Sequence, residues 1–331
     1  RVYFERELDI TWNGTVLGPA RLVALDRATG ERIWSNPIVT GKNAAVAGSW
    51  VAAIWGGLPI FDRATGSPAS IYRYGRTSLS GNVVSDGSRF YMTTYTGHAV
   101  AVNPATGAAE WDTNLAGSAT TTGFGVALSG DALAAVLKHF RAGGTQRDSG
   151  IVAVLDRATG ALRWRRTLDP SIADPGIGDP PVIVGDLVIV VTMGHDVRAF
   201  DLRTGELRWQ ADASYAIQEF GSGGLAACDG MVIVPTGDLG VAALDAATGQ
   251  VRWRRGVPDG SLFTVSCSYG TVITVGGRTR VLDAATGQQR ALYPMIEPDP
   301  RRDPFWIDSV TRDDQYLYVG STFGYAKVKA P

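Results

Sequence analysis

The sequence is poor in groups that bind metals, redox partners or charged polymers. Its 331 residues include two cysteines and three histidines, and the formal net charge is −1. A nearly neutral chain without runs of like charge lacks the basic field that nucleic acid requires. No stretch of 18 consecutive apolar residues is present, so no membrane-spanning helix is expected within this sequence. Nucleic acid is therefore not an expected partner, and no direct membrane span is expected within this sequence.

Cysteine and serine chemistry also has little support. Cys228 and Cys267 fall near the ends of two segments that the pattern predicts to be equivalent strands. Their registers differ by about one residue, so we expect two buried free thiols, with a disulfide as the alternative. Neither a G-x-S-x-G nor an S-x-x-K motif occurs, so nucleophilic catalysis by serine has no motif here.

What the chain does contain is a short phrase repeated seven times: an acidic or amide residue, two variable residues and Thr-Gly, with Trp four residues beyond the Gly in five copies. The copies begin at Asp26, Asp62, Asn103, Asp156, Asp201, Asp245 and Asp283. The tryptophans are Trp34, Trp111, Trp164, Trp209 and Trp253, whereas Ser70 and Ala291 replace them in the second and seventh copies. An Asx side chain, a threonine hydroxyl and a glycine with positive φ together predict a tight hairpin turn.

The spacing of the phrase predicts the architecture. Successive copies start 36, 41, 53, 45, 44 and 38 residues apart, which is the length of a four-stranded propeller blade. Each unit contains four β-rich segments, which we name strands A to D from the axis outwards. We predict an all-β protein, a single β-propeller domain over 1–331, with four-stranded antiparallel blades. Eight blades are expected and seven are the alternative. The N-terminal VYFERE is expected to supply the missing D strand of the last unit, closing the ring by joining the N- and C-terminal strands.

The phrase and its period resemble the pyrroloquinoline-quinone-like, tryptophan-docking propeller repeat over nearly the whole chain. That repeat is found in quinoprotein alcohol dehydrogenases, in BamB-type outer-membrane assembly proteins and in sensor domains of some actinobacterial kinases. The dehydrogenases place their quinone beside two adjacent bonded cysteines, and this chain has neither an adjacent cysteine pair nor a C-x-x-C-H motif. The resemblance therefore implies the fold without a quinone, and we expect no cofactor.

All three histidines fall at the B-to-C connections of three consecutive units. His98 and His195 follow the B strands of their units, and His139 ends one. In a propeller these connections share one face with the D-to-A connections, opposite the Thr-Gly turns. One interpretation is a metal site or an acid/base cluster formed by the three imidazoles. The other is that histidine simply replaces the small polar residues common in such turns.

The long insertions are predicted on the same face, where ligand sites are usually built. They carry arginines that can bind an anion and an aromatic residue that can contact a ligand. The ligand-binding candidates are Arg141, Arg147, Asp196, Arg301, Arg302 and Trp306. The alternative is a solvated loop whose charges pair with one another.

We predict a non-catalytic propeller that binds a small molecule or a partner protein on this face, as a scaffold or an extracytoplasmic sensor domain. A monomer is expected, with any leader or membrane anchor lying outside this sequence; a cytoplasmic location is the alternative. A second function is kept open, that of a cofactor-independent lyase, cyclase or hydrolase using His98, His139 and His195. A third is docking of an extended peptide in the funnel or at a blade edge.

Overall fold

A computed structural model describes the protein at 2–6, 11–12, 15–16, 21–36, 44–54, 57–75, 78–117, 121–139, 149–168, 176–194, 196–212, 224–236, 240–256, 264–275, 278–293, 307–312, 315–321 and 324–329. All regular structure in these ranges is β-strand. The strands are β1 Val2–Arg6, β2 Thr11–Trp12, β3 Thr15–Val16, β4 Arg21–Leu25, β5 Arg32–Asn36, β6 Ala44–Ala47, β7 Trp50–Ala53, β8 Leu58–Asp62, β9 Pro68–Tyr72, β10 Leu79–Ser85, β11 Phe90–Thr94, β12 His98–Val102, β13 Ala109–Asn114, β14 Thr121–Ser129, β15 Ala132–His139, β16 Ser149–Asp156, β17 Leu162–Thr167, β18 Val182–Val184, β19 Leu187–Val191, β20 Asp196–Asp201, β21 Leu207–Asp212, β22 Ala226–Cys228, β23 Met231–Thr236, β24 Gly240–Asp245, β25 Val251–Gly256, β26 Thr264–Ser268, β27 Thr271–Val275, β28 Thr279–Asp283, β29 Gln289–Tyr293, β30 Ile307–Arg312, β31 Tyr316–Ser321 and β32 Gly324–Lys329.

The described strands form a β-propeller of antiparallel sheets that follow one another along the chain. Six sheets have four strands in the order A-B-C-D, and they run consecutively from β6 to β29. The first sheet has the order β1-β4-β5 and the last the order β30-β31-β32, while β2 and β3 form a short separate ladder. This gives the predicted eight blades, numbered here from the N-terminus.

Alternation along each strand builds the core between blades. In β15, Leu133, Ala135 and Leu137 pack against blade 3. The intervening Ala134 and Val136 pack against blade 5. Successive side chains of a strand point to opposite faces of its sheet, so one B strand serves two interfaces. The inner strand β16 is therefore buried at every position except its last, whereas the outermost strand β17 exposes all its residues except Trp164.

The N-terminal strand contributes to ring closure in a different way from the one predicted. β1 pairs antiparallel with β4, from Val2 opposite Leu25 to Arg6 opposite Arg21. It is therefore a strand of the first sheet and does not complete the last one beside β32. The first and last sheets nevertheless meet, because β1 contacts β30 and β31 and Tyr316 packs on Val23 and Leu25. Apolar packing between two sheets thus joins the chain ends, instead of a sheet shared by both.

Each predicted Thr-Gly turn is the C-to-D hairpin of its blade. In blade 4, Asp156 Oδ1 accepts hydrogen bonds from Ala158 N at 3.1 Å and Thr159 N at 3.0 Å. The Thr159 hydroxyl also donates to this oxygen at 2.9 Å. Gly160 has φ 72°, a left-handed conformation that glycine adopts without a Cβ clash. The residues of the repeated phrase therefore form the hydrogen-bonded turn that the sequence predicts.

The tryptophans link each blade to the next. Trp164 of blade 4 donates its indole N–H to Leu202 O at 2.9 Å in the turn of blade 5. A Cβ on Gly205 of that turn would lie 2.6 Å from the indole Cδ2. The same arrangement joins Trp34, Trp111, Trp209 and Trp253 to the turns that follow them. The glycine is thus required twice, for its φ and for the close approach of the ring.

Two cysteines connect blades 6 and 7. Cys228 and Cys267 form a disulfide with a Cα–Cα distance of 5.6 Å, so the expectation of two free thiols is wrong. Cys228 ends β22 whereas Cys267 is one residue short of the end of β26. That offset is tolerated because the A strands of neighbouring blades contact each other, closer than the roughly 10 Å between stacked sheets.

Candidate functional site

The face carrying the B-to-C connections holds two of the three histidines within the described residues. His98 is the first residue of β12, and its backbone N donates to Thr94 Oγ1 at 3.1 Å across the turn. Its Nδ1 lies 2.7 Å from Asp112 Oδ1 on the neighbouring β13. The side chains are 22% and 38% exposed. A carboxylate on Nδ1 sets the orientation of the ring, and Nε2 is left to face other partners.

Two tyrosines of blade 2 complete this cluster. The rings of Tyr74 and His98 have centroids 5.4 Å apart. Burial raises the pKa of Tyr74 to about 12, and the charge of the nearby Asp112 adds to the shift. The pKa of Tyr72 rises to about 12 for the same two reasons. Both phenols are therefore neutral hydrogen-bonding groups at physiological pH.

The cluster lies at the interface that lacks a docking tryptophan. Ser70 occupies the tryptophan position of blade 2, and within the described part of the chain its buried hydroxyl has no hydrogen-bond partner. The Gly107 turn of blade 3 approaches it closely, since a Cβ on Gly107 would lie 2.6 Å from Ser70 Oγ. Tyr74, His98 and Asp112 bridge the same two blades. This location supports a packing role for His98 between blades 2 and 3.

His139 ends β15, where its Nδ1 lies 3.0 Å from Thr121 Oγ1 of β14. The neighbouring Lys138 donates from Nζ to Met193 Sδ at 3.0 Å, in the B-to-C turn of blade 5. His98 and His139 thus occupy ends of strands that meet the same face, as predicted. Within the described part of the chain, no group of three His, Cys, Asp or Glu side chains is arranged to hold a metal ion.

Asp196 is engaged in its own blade. Its Oδ2 accepts from Arg198 Nη2 at 3.0 Å and from Gln210 Nε2 at 3.1 Å. The remaining predicted site residues lie outside the described residues: His195, Arg141, Arg147, Arg301, Arg302 and Trp306. A common site of the three histidines, and the anion site on the insertions, therefore stay predictions.

Sequence reasoning missed a second docking contact, two residues beyond four of the five docking tryptophans. In blade 4, Arg166 donates from Nε to Gly205 O at 3.0 Å and from Nη2 to Thr204 O at 3.0 Å. Arg255 in blade 6 and Thr113 in blade 3 bind the equivalent glycine carbonyls. In these four blades the position carries Asn, Thr or Arg, whereas blade 5 has Ala211, so a search for one residue type does not find it. Its signal is a side-chain donor in four of the five copies.

Comparison with known proteins identifies the family. The profile described as outer membrane protein assembly factor BamB matches residues 18–136 and 118–322. The chain belongs to this family. No curated protein matches the sequence significantly. The family match confirms the resemblance to the pyrroloquinoline-quinone-like repeat that the Thr-Gly phrase suggested.

Solved structures agree with the fold of this BamB-family chain. BamB from Moraxella catarrhalis is 18% identical, with 94% of each chain covered and a TM-score of 0.65. A europium-containing methanol dehydrogenase is 13% identical, covering 98% of this chain and 81% of its own, with a TM-score of 0.68. The computationally designed protein Ika8 is 15% identical, covering 94% and 90%, with a TM-score of 0.70. At these identities the likeness concerns the fold alone.

Proposed function

We propose that this protein is a protein-binding scaffold that works outside the cytoplasm, using the face of the B-to-C and D-to-A connections. The observation that carries the proposal is the match to the BamB family across residues 18–322, whose description names an assembly factor. A closed propeller suits this role because its blades hold the connecting loops on a rigid frame.

Two further observations support it. The disulfide between Cys228 and Cys267 is of a kind that persists in oxidising compartments and is rare in the cytosol of most organisms. Tyr95, in the B-to-C turn of blade 3, is 54% exposed, and exposed tyrosines are enriched at protein interfaces. The described residues contain no helix with the length and hydropathy of a membrane span.

A photo-crosslinking pair tests the proposal. A photoreactive phenylalanine replaces Tyr95 on the proposed face or, as a matched control, Tyr269 in an A-to-B turn on the opposite face, where it is 62% exposed. In cells that natively produce the protein, we expect a discrete adduct from position 95 that is absent at position 269. Adducts at neither position, or only at 269, would contradict the proposed face.

A further inference from the structure

A cavity of about 340 Å³ opens between blades 4 and 5. One wall is the end of β17 with Leu168, and the other is β20 with the turn that leads into β21. The lining residues are Arg166, Thr167, Leu168, Arg198, Phe200, Gly205, Glu206 and Leu207. This volume is at the lower end of the range for small-molecule sites and accommodates a group of amino-acid size.

Arg198 is the unusual residue in this cavity. It is only 4% exposed, and its buried Nε has no hydrogen-bond partner among the described residues. Its carboxylate partner is Asp196, which binds Nη2 and is shared with Gln210. A buried donor without a partner is destabilising, because it has given up its hydrogen bonds to water. The guanidinium therefore retains donor capacity that the described residues do not satisfy.

Packing between blades does not require an arginine at the position of Arg198. Arg198 stands three residues before the aspartate of its Thr-Gly phrase, and the same position holds Ala153 in blade 4 and Ala242 in blade 6. Both alanines are buried in well-packed interfaces. A small apolar residue is thus sufficient for the fold in these two blades, whereas blade 7 also has a buried arginine, Arg280, at this position.

A second guanidinium raises the positive charge of the same cavity. Arg166 directs its donors to the backbone carbonyls of Arg165, Thr204 and Gly205, which carry no formal charge. No carboxylate of the described residues is therefore bonded to it. Arg166 and the negative lining residue, Glu206, are both exposed, where solvent screens their charges. The buried charge in the lining of the cavity is that of Arg198, and it favours an anionic ligand.

The remaining walls are apolar. Leu168 and Phe200 are 4% and 5% exposed and form the inner surface. Leu207 is 52% exposed and lines the same cavity from its solvent side. An anion bound here would contact Arg198 while an attached hydrocarbon group contacts these three side chains.

We propose that the cavity binds a single carboxylate attached to a short apolar group. Arg198 receives the carboxylate through its unused donors, and Leu168, Phe200 and Leu207 hold the apolar group. The site lies between the outer strands of blades 4 and 5 and does not depend on the scaffold proposed above. Two sources share this chemistry, namely a peptide C-terminus and a free aliphatic acid.

Isothermal titration calorimetry with three probes tests the site. N-acetyl-L-leucine represents the peptide C-terminus, 4-methylpentanoate represents the free acid, and N-acetyl-L-leucinamide is a neutral control. We expect a carboxylate probe to bind at least tenfold more tightly than the amide. Preference between the two acids identifies the source. Binding of neither acid more tightly than the amide, or no binding of either acid at 10 mM, overturns the proposal.

Variants locate the binding to this cavity. Leu207→Glu adds a like charge at the mouth and should weaken binding of the acid roughly fivefold or more. Val251→Glu is the matched control, because Val251 occupies the same strand position in blade 6 and is 60% exposed. Equal effects of the two variants would contradict the assignment.

Arg198→Lys keeps a positive charge beside Asp196 but loses the planar fork, so carboxylate affinity should fall roughly tenfold. Arg280→Lys is its control, at the equivalent buried position of blade 7. Thermal unfolding of both variants verifies that they are folded. Unchanged affinity in folded Arg198→Lys would exclude Arg198 as the carboxylate-binding group.

Discussion

In blades 4 to 7, the aspartate that opens the turn uses its two carboxylate oxygens for different partners. In blade 4, Oδ1 of Asp156 accepts the turn hydrogen bonds, whereas Oδ2 binds Arg163 Nη2 at 2.9 Å. Blade 3 has Asn103 in this position, and its amide nitrogen donates to Glu110 Oε1 at 2.8 Å. In blades 3 to 7, the residue seven positions later is thus basic where the turn opens with aspartate and acidic where it opens with asparagine.

Glycine substitutions separate backbone strain from tryptophan docking. Gly249 and Gly230 of blade 6 have φ values of 73° and 72°, so alanine is strained equally at both, by about 1–2 kcal/mol. A Cβ on Gly249 would also lie 2.5 Å from Trp209 Cε3, whereas no atom of the described residues lies within 4 Å of one on Gly230. We expect Gly249→Ala to lower the free energy of unfolding by about 1–3 kcal/mol more than Gly230→Ala. Denaturant unfolding measures both, and equal losses would rule out a steric role of docking.

The turn aspartates make stability depend on acid pH. Hydrogen bonds from Arg163 and then Thr159 lower the pKa of Asp156 to about 2, below the roughly 3.9 of an unfolded chain. A lowered folded-state pKa means that its stabilisation is complete above the unfolded value and is lost as pH falls from about 4 to 2. The paired turn aspartates Asp201, Asp245 and Asp283 also have lowered pKa values.

Asp156→Asn should therefore fold, as Asn103 shows for the same turn, but melt at a lower temperature than the unmodified protein at pH 7. The difference in Tm should shrink as pH falls from about 4 to 2, because the wild-type carboxylate becomes protonated. Thermal unfolding between pH 7 and pH 2 checks this. A constant difference over the whole range would show that the ionised carboxylate is not the cause.

At the scale of strands, the outer edge of every repeat is bulged at one position. In blade 4, Val154 is opposite Trp164 and Leu155 is opposite Leu162, so Arg163 is the extra residue. The same bulge precedes the tryptophan position in each of the seven described D strands. It turns Arg163 towards Asp156 and also interrupts an exposed edge, which opposes pairing with other chains.

The disulfide links two neighbouring sheets, so its removal should loosen blades 6 and 7. The cysteines are separated by 39 residues, for which the chain-entropy description gives about 4 kcal/mol of stabilisation. We expect reduction to lower the guanidinium midpoint, and a Cys228→Ala/Cys267→Ala variant to have the lower midpoint with or without reductant. Peptide mapping without reduction verifies the bond. A midpoint of the native protein that is insensitive to reductant would contradict this prediction.

At the scale of the whole molecule, different contacts join different pairs of neighbouring blades. Tryptophan docking connects blades 1 to 2 and 3 to 7, and the Tyr74–His98–Asp112 cluster bridges blades 2 and 3. Between blades 8 and 1, β1 contacts the last sheet. Closure leaves no blade without neighbours on both faces, so the apolar residues of the inner strands stay covered.

Local sequence patterns determined much of this fold. The turns, the strands beside them and the period of about 43 residues depend on contacts within roughly ten residues, so Asp156, Thr159 and Gly160 could be interpreted without knowing the rest of the chain. The five docking tryptophans were predicted for the same reason, because their distance from the turn is constant. The number of blades followed from the repeat length.

Contacts between distant segments were decided only by the tertiary structure. The pairing of β1 with β4, the disulfide of Cys228 with Cys267 and the cavity beside Arg198 each join residues that no local pattern relates. Their existence depends on how closely neighbouring sheets approach, and this distance is set by side-chain packing over whole interfaces. The repeat thus specifies each blade from its own residues, whereas the closure and the candidate binding site arise only where blades meet.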